Sequence, residues 1–286
     1  MELEGHSGNI HGLAFNRNGK YIASGGNDNT LRIWDTATGA EAVPAVKHNG
    51  NVYDVSCSPT ADMVVTGSTD NRLRMIDLVS GEIVGETDDH HNVYRVEYSP
   101  DGKYVASGGN DNRVYLWNTE TGEMLGKTKW QWGDILSLAY SPDGSMVAAG
   151  SASNYIKVFD PETGDQVSEM HCWSNIYDLA FSPDSTRLFS GDANNKVRMW
   201  DPHTGEKLDE ASYGGNVYCL AASPTEPVVA VGGAKDKVVL WDYQSGQYRA
   251  SFEGFGGDVL SVAFSPDGST IAAGCADNKV RVFSLS

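Results

Sequence analysis

The stretch "NVYRVEYSPDG", residues 92–102, is one copy of the motif that predicts the fold of this 286-residue chain. Its apolar residues Val93, Val96 and Tyr98 are typical of a short strand, and the Pro-Asp-Gly that follows predicts the turn that ends it. Six relatives of this stretch occur elsewhere in the chain. The seven copies begin at positions 9, 51, 92, 134, 175, 216 and 258, which are 41 or 42 residues apart. Because copies at this spacing fill the chain, we predict a single repeat domain over residues 1–286.

The sequence between successive copies carries the same turn signals. "GKYIASGGNDNTLRIWDTATGA" (19–40) and "GKYVASGGNDNRVYLWNTETGE" (102–123) agree at most positions. Each unit predicts an apolar strand, a Pro-Asp-Gly-type turn, a second strand, a Gly-Asp-Asn turn, a third strand ending near Trp, a Thr-Gly turn and a short fourth strand. Leu31 and Ile33 alternate with Arg32, which is the period of a strand, and no segment has a helical stripe. Four short strands repeated radially predict the blade of an all-β propeller.

The repeat resembles that of the WD40 family, and the resemblance covers the whole chain. The family signature is Gly-His before the first strand and Trp-Asp at the end of the third. "LEGHSG" (3–8) with "IWD" (33–35) matches both halves, and "MWD" (199–201) and "LWD" (240–242) match the second half. The resemblance implies a ring of seven four-stranded antiparallel blades. It also implies that residues 1–5 form the fourth strand of the last blade and close the ring.

Net charge, cysteine content and the lack of long apolar runs exclude several classes of protein. A net charge of −17 repels phosphate backbones and anionic lipid, so we predict neither nucleic-acid nor membrane binding. The four cysteines are far apart and do not form a disulfide framework. The first residues are not those of a signal peptide, and no apolar run is long enough to cross a membrane. We expect a cytoplasmic, monomeric protein with buried thiols.

No catalytic or metal-binding motif stands out. The chain has no Walker loop, GxSxG elbow or HExxH motif. "DDHH" (88–91) has no partner cluster at ligand spacing, and adjacent histidines point apart, so a solvated loop is the preferred interpretation. We therefore predict no metal and no cofactor.

The resemblance assigns a role to four polar residues of the first blade. In WD40 blades a His, a Ser or Thr, an Asp and a Trp often form a hydrogen-bonded tetrad. The four residues here are His6, Ser24, Asp28 and Trp34. A Ser-His-Asp trio also suggests a hydrolase, but a network in which Asp orients His and His links Ser and Trp is structural, so we predict no enzyme activity. Blade two has Ile76 in place of Trp and blade six has Val231 in place of Ser, so these blades must depend more on packing.

A ring of aromatic residues is the candidate binding surface. The resemblance places the loops before the first strands, together with the turns between second and third strands, on one "top" face. It implies that the third residue of each copy lines the mouth of the central channel and contacts ligands. These residues are His11, Tyr53, Tyr94, Leu136, Tyr177, Tyr218 and Leu260. The preceding loops add Trp130, Trp132, Trp173, Tyr213 and Phe255. Aromatic rings beside Asn amides are typical of a recognition surface, although the ring of Asn and Tyr is also explained as the consensus of the repeat.

Arg95 and Glu97 depart from the pattern, because the corresponding residues in other copies are small. Two residues apart on a strand, they point the same way, towards the channel or the adjoining blade. Asp54, at the equivalent position one blade earlier, is a further candidate partner for Arg95. We favour an ion pair between blades over contact with a ligand in the channel.

These features predict a non-catalytic scaffold that binds a peptide or a partner protein on the aromatic top face. A segment that carries Lys or Arg suits the tyrosines through cation–π contacts. The alternatives are a small-molecule or glycan pocket in the top funnel, less readily an enzyme, and a sensor or interaction module of a longer protein. The sequence does not identify the partner or the pathway.

Overall fold

The computed structural model describes residues 1–87, 92–127 and 133–285, and every regular element within those ranges is a β-strand. The strands form seven antiparallel sheets of four strands each, which confirms the predicted all-β propeller. The strands are β1 (Glu2–Glu4); in blade 1, β2 (Ile10–Phe15), β3 (Tyr21–Gly26), β4 (Thr30–Asp35) and β5 (Val46–Lys47); in blade 2, β6 (Val52–Cys57), β7 (Met63–Ser68), β8 (Leu73–Asp77) and β9 (Ile83–Thr87); in blade 3, β10 (Val93–Tyr98), β11 (Tyr104–Gly109), β12 (Val114–Asn118) and β13 (Met124–Lys127); in blade 4, β14 (Ile135–Tyr140), β15 (Val147–Ser151), β16 (Tyr155–Phe159) and β17 (Gln166–His171); in blade 5, β18 (Ile176–Phe181), β19 (Leu188–Asp192), β20 (Lys196–Trp200) and β21 (Lys207–Ser212); in blade 6, β22 (Val217–Ala222), β23 (Val228–Gly233), β24 (Val238–Asp242) and β25 (Gln247–Phe252); and in blade 7, β26 (Val259–Phe264), β27 (Thr270–Cys275) and β28 (Lys279–Ser284).

The blades form a closed ring around a central channel. The first strand of each blade contacts the first strand of the next, and β26 contacts β2, so these strands are the innermost ones. Apolar side chains form seven buried clusters, one at each boundary between neighbouring blades. The hydrophobic core therefore lies between the blades, and each blade buries its two faces against its neighbours. No helix in the described ranges has the length and apolar character needed to span a bilayer.

The N-terminal strand closes the ring, as predicted. β1 pairs antiparallel with β28 in the register Glu2↔Arg281, Leu3↔Val280 and Glu4↔Lys279. The side chain of Leu3 is only 1% exposed and joins the cluster between blades 7 and 1. One blade is thus built from both ends of the chain, with β1 as its outermost strand covering the edge of β28.

A β-bulge near the start of every innermost strand sets the direction of one side chain. In blade 2, for example, Val52 pairs with Ser68 and Asp54 pairs with Gly67, which leaves Tyr53 outside the ladder. Because a bulge re-aims the extra residue, its side chain leaves the ordinary alternation of the strand. The bulged residues are His11, Tyr53, Tyr94, Leu136, Tyr177, Tyr218 and Leu260.

The same end of the ring holds the turns between second and third strands. In every blade a backbone N–H of that turn donates to the carbonyl of the Asn or Asp at the start of the innermost strand, over 2.9–3.4 Å. We call this end the top face. The opposite end, the bottom face, carries the Pro-Asp-Gly turns and the turns between third and fourth strands.

Candidate functional site

The bulged aromatic residues form two arcs at the mouth of the channel. In the first arc, His11 and Tyr53 have ring centroids 4.9 Å apart, and Tyr53 and Tyr94 meet edge to face at 5.5 Å. In the second arc, Tyr177 and Tyr218 meet edge to face at 5.4 Å. All five rings are half-buried. Each ring is therefore held by its neighbour while part of its surface stays open to a ligand.

Leucines separate the two arcs. Leu136 of blade 4 and Leu260 of blade 7 occupy the bulged position there. The mouth thus offers two aromatic surfaces on opposite sides of the opening rather than an unbroken ring.

Trp173 lies on the top face in an open aromatic stack. It is 65% exposed, the highest value among the described large apolar side chains, and its φ is 60°, which is rare for a bulky residue. Its indole lies 4.9 Å from the ring of His171, which lies 4.8 Å from that of Tyr155. Neither Tyr155 nor His171 was predicted as a site residue, because they lie on the third and fourth strands of blade 4, where the family resemblance implies no binding position. Strained, exposed aromatic residues are typical of binding surfaces.

Two residues assigned to the top-face surface are buried instead. Tyr213 is 6% exposed and donates a 2.7 Å hydrogen bond from Oη to the carbonyl of Lys237, and Phe255 is 9% exposed with the Arg281 guanidinium 5.3 Å from its ring. Both stand three residues before the start of their copy, which is the position of the buried His6 in blade 1. They fill the place of the tetrad histidine, so the expectation that they are open to a partner is wrong. The predicted Trp130 and Trp132 lie outside the described residues.

The four tetrad residues of blade 1 form one hydrogen-bonded network. His6 lies 2.9 Å from Asp28 through Nδ1 and 2.8 Å from Ser24 through Nε2. Trp34 Nε1 donates to Ser24 Oγ over 2.8 Å. Burial lowers the pKa of His6, and Ser24 is completely buried, so its hydroxyl is not open to a substrate. The network joins the loop before the first strand to the second and third strands of the blade, which is a structural role.

Other blades break this network in different ways. In blade 2, His48 Nε2 lies 2.9 Å from Thr66 Oγ1, but Asp70 forms an ion pair with Arg74 at 2.8 Å. In blade 6, where Val231 replaces the hydroxyl residue, the buried Trp241 Nε1 has no hydrogen-bond partner in the described part of the chain. The expectation that these blades depend on packing agrees with the loss of these hydrogen bonds.

Below the aromatic mouth, the channel holds a cluster of charged side chains. This space has a volume of about 400 Å³, and its lining includes Asp54, Arg95, Glu97 and Asp178. Arg95 and Glu97 both face it, as the strand period predicted. Arg95 donates from Nη1 to the Tyr94 carbonyl and from Nη2 to the Tyr177 carbonyl, both over 3.0 Å. The expected ion pair between blades is not present in the described part of the chain: Arg95 links blade 3 to blade 5 through hydrogen bonds to backbone oxygens rather than to a carboxylate.

The two aspartates of the channel tie neighbouring blades together. Asp54 accepts hydrogen bonds of 3.0 Å from the backbone N–H of Val55 and of Val96 in the next blade. Asp178 accepts in the same way from Leu179 and, over 2.7 Å, from Leu220. Burial raises the pKa of each aspartate to about 6, and the positive charge of Arg95 opposes this rise. Both are therefore mostly ionised at pH 7.

Glu97 differs from the two aspartates because the charges that act on it are those of carboxylates. Burial and the nearby charge of Asp54 raise its pKa to about 8. At pH 7 it is therefore mostly neutral. With Arg95 positive and two aspartates negative, the channel carries a small net negative charge beneath the aromatic arcs.

Within residues 1–87, 92–127 and 133–285, no group of three or more His, Cys, Asp or Glu side chains is arranged to hold a metal ion. The "DDHH" stretch, considered above as a metal site, lies outside these ranges.

The repeats match a known family model along the chain. The model described as "WD domain, G-beta repeat" matches residues 1–35, 45–77, 81–118, 124–160, 164–201, 208–242 and 246–284. A segment of 37 residues is 49% identical to the vegetative incompatibility protein HET-E-1 of Podospora anserina. That segment is 13% of this chain and 3% of the length of HET-E-1, so the likeness is to one repeat-sized part of a much longer protein.

Proposed function

Since the chain belongs to the WD domain, G-beta repeat family, whose propellers commonly act as protein-interaction scaffolds, we propose that it is a non-catalytic scaffold that binds a peptide segment of a partner protein at the aromatic mouth of its top face. The observation that carries the proposal is the arc His11–Tyr53–Tyr94, in which bulges turn three rings from successive blades into mutual contact. Rings that are fixed before binding lose little conformational entropy when a ligand arrives.

A segment with Lys or Arg fits this mouth best. Open tyrosine faces attract cations through their quadrupoles, and the effect is larger where water is excluded. Asp54 and Asp178 add negative charge beneath the rings, which outweighs the single positive charge of Arg95 at neutral pH. A cationic side chain lying across the arcs is therefore favoured, whereas one entering the channel meets Arg95.

The test begins with peptides selected on the wild-type protein from a random display library. The affinity of each selected peptide is then measured by fluorescence anisotropy for wild type, Tyr94→Phe and a Tyr94→Ala/Tyr177→Ala variant. We expect the double variant to lose about tenfold or more in affinity, since aromatic anchors dominate such interfaces. Tyr94→Phe, which keeps the ring, should lose less.

Tyr248→Ala is the matched control, because Tyr248 is an exposed tyrosine on β25, the outermost strand of blade 6. It should bind every selected peptide as wild type does. The proposal fails if the double variant keeps the wild-type melting temperature and binds all selected peptides unchanged.

A small-molecule or glycan ligand in the same funnel is the second candidate. The polar channel of about 400 Å³ beneath the mouth favours it, because aromatic rings next to fixed polar groups also suit sugars. A rise in melting temperature with sugars or small metabolites, together with no selected peptide, would support this candidate over the first.

A further inference from the structure

An open groove lies between blades 3 and 4 on the bottom face, away from the aromatic mouth. It has a volume of about 860 Å³. Its apolar lining includes Val114, Leu116, Leu125, Tyr140, Val147 and Phe159. Leu125, on the outermost strand of blade 3, is 55% exposed. The inter-blade core at this boundary is thus continuous with an apolar surface that solvent reaches.

The equivalent boundary between blades 4 and 5 shows one way in which this space is closed. There, Ser168 on β17 donates a hydrogen bond from Oγ to the carbonyl of Pro202, in the turn after β20 of the next blade. A Cβ built on Gly205 in that turn would lie 2.7 Å from the carbonyl oxygen of Glu169, so the turn and the strand are in close contact. Pro202 is buried as a result.

The boundary between blades 3 and 4 lacks these contacts. Gly126 takes the place of Ser168, and Gly164 takes the place of Gly205. A Cβ built on either glycine would meet nothing within 4 Å, and Pro161, the counterpart of Pro202, is only half-buried. A missing side chain on the strand, and a turn that does not approach it, therefore leave this boundary open.

The rim of the groove is acidic. Its lining includes four carboxylates, from Asp101, Asp143, Asp160 and Glu162, against one lysine, Lys127. A second copy of this chain, with its net charge of −17, is therefore a poor occupant, whereas a segment with Lys or Arg is electrostatically complementary.

Tyr140 lies between the groove and the central channel and carries an unused hydrogen-bond donor. Tyr140 is 8% exposed, and its hydroxyl has no hydrogen-bond partner in the described part of the chain. A buried hydroxyl without a partner costs free energy, and a carbonyl oxygen of a bound backbone would satisfy it.

We propose that this groove binds an extended peptide segment of a partner protein, with an aliphatic or aromatic anchor over Leu116 and Phe159, flanking Lys or Arg residues at the acidic rim, and a backbone carbonyl on the Tyr140 hydroxyl. It is a second interaction surface, on the face opposite to the aromatic mouth, and it does not depend on the function proposed for that mouth. A propeller with both surfaces bridges two partner segments.

The test uses the Tyr94→Ala/Tyr177→Ala variant as bait for a random peptide display library, so that peptides specific for the aromatic mouth are removed from the selection. Selected peptides are measured by fluorescence anisotropy against wild type and groove variants. We expect a large apolar residue next to Lys or Arg in the selected sequences. Gly126→Leu fills open space and should weaken binding about tenfold or more. Since a side chain favours strand structure over glycine, this variant should stay folded.

Two further variants keep the test decisive if Gly126→Leu misfolds. Tyr140→Phe removes only the unpartnered hydroxyl and should weaken binding several-fold without lowering the melting temperature. Glu162→Lys should also weaken it several-fold, whereas Glu120→Lys, at the same turn position one blade earlier, should leave affinity unchanged. The proposal is overturned if no peptide is enriched, or if the selected peptides bind the three groove variants as they bind wild type.

Discussion

Arg95 in blade 3 donates a 3.0 Å hydrogen bond from Nη2 to the carbonyl of Tyr177 in blade 5, although blade 4 separates the two along the ring. Its Nη1 also donates to the carbonyl of Tyr94 over 3.0 Å. Tyr94 and Tyr177 belong to the two different aromatic arcs of the mouth. One side chain therefore fixes the backbone under both arcs, and the shape of the mouth depends on a charge inside the channel.

Replacing Arg95 should loosen this arrangement. Arg95→Ala removes two charge-assisted hydrogen bonds and leaves Asp54 and Asp178 in the channel without their cation, so we expect the free energy of unfolding to fall by about 2 kcal/mol at pH 7. Arg95→Lys keeps the charge but not the planar guanidinium group, so its free energy of unfolding should lie between those of wild type and Arg95→Ala. Urea denaturation followed by tryptophan fluorescence measures the change. An Arg95→Ala variant as stable as wild type would contradict the role assigned to this residue.

The fold could be predicted from the repeat, whereas the hydrogen-bond partner of Arg95 in blade 5 could not. A spacing of 41 or 42 residues with regular turn signals fixes seven blades, and the bulged positions follow from the same repeat. The carbonyl that Arg95 reaches is 82 residues away and belongs to a blade that is not adjacent, so no spacing rule identifies it. The contact exists because the ring brings non-neighbouring blades together across a narrow channel.

Whether a side chain is buried or exposed was harder to predict from the sequence than its position in the blade. Tyr213 was placed on the surface because it stands in a loop, but its offset from the start of the copy, three residues, is that of His6, which is buried. Comparing offsets between copies would have found this. The open groove results from one missing side chain, at Gly126, and its effect on the surface is visible only when the neighbouring turn is in place.

The unpartnered indole of blade 6 offers a way to stabilise the protein. Val231→Thr places a hydroxyl where blade 2 has Thr66, so that Trp241 Nε1 gains an acceptor. We expect a gain of about 1 kcal/mol in the free energy of unfolding, measured by urea denaturation, since satisfying a buried donor removes a desolvation cost.

A double-mutant cycle with Trp241→Phe provides the control. In that background the new hydroxyl has no indole to accept from, so the gain should vanish or reverse. The same gain in both backgrounds would show that the indole is not involved.

The closing strand should be essential to the ring. Removing residues 1–4 deletes β1 while keeping His6, and it exposes the edge of β28 and the core around Leu3. We expect a lower melting temperature and aggregation that increases with protein concentration, measured by circular dichroism and light scattering.

Point variants separate packing from charge at this closure. Leu3→Ala should cost about 2–5 kcal/mol, because the side chain is fully buried. Glu4→Gln, which loses an exposed ion pair with Lys279, should change stability little. An unchanged melting temperature after removal of residues 1–4 would contradict the prediction that ring closure by β1 is essential.

Glu97 should make stability fall as the pH rises from its ordinary pKa of 4.5 to about 8. Its pKa is about 8 in the folded protein, against its ordinary value of 4.5, so between these values the folded state holds a proton that the unfolded state lacks. The free energy of unfolding therefore decreases through this range and levels off above pH 8. Asp54 and Asp178, whose pKa values are raised to about 6, also make stability decrease with pH, but only up to about pH 6. The pKa values of His11 and His48 are lowered to about 4, so these residues make stability increase with pH, and only below pH 6.5.

The interval from pH 6.5 to 8 therefore isolates Glu97 from those four groups. Since the channel has room for water, we expect less than the full linkage for one proton, roughly 1 kcal/mol or about 2 °C in melting temperature across the interval. Glu97→Gln should flatten this dependence, because the amide does not ionise, and it should make the protein more stable than wild type at pH 8. Glu120→Gln, which changes an exposed carboxylate, should keep the wild-type slope. A Glu97→Gln variant with the same slope as wild type between pH 6.5 and 8 would show that another group titrates there.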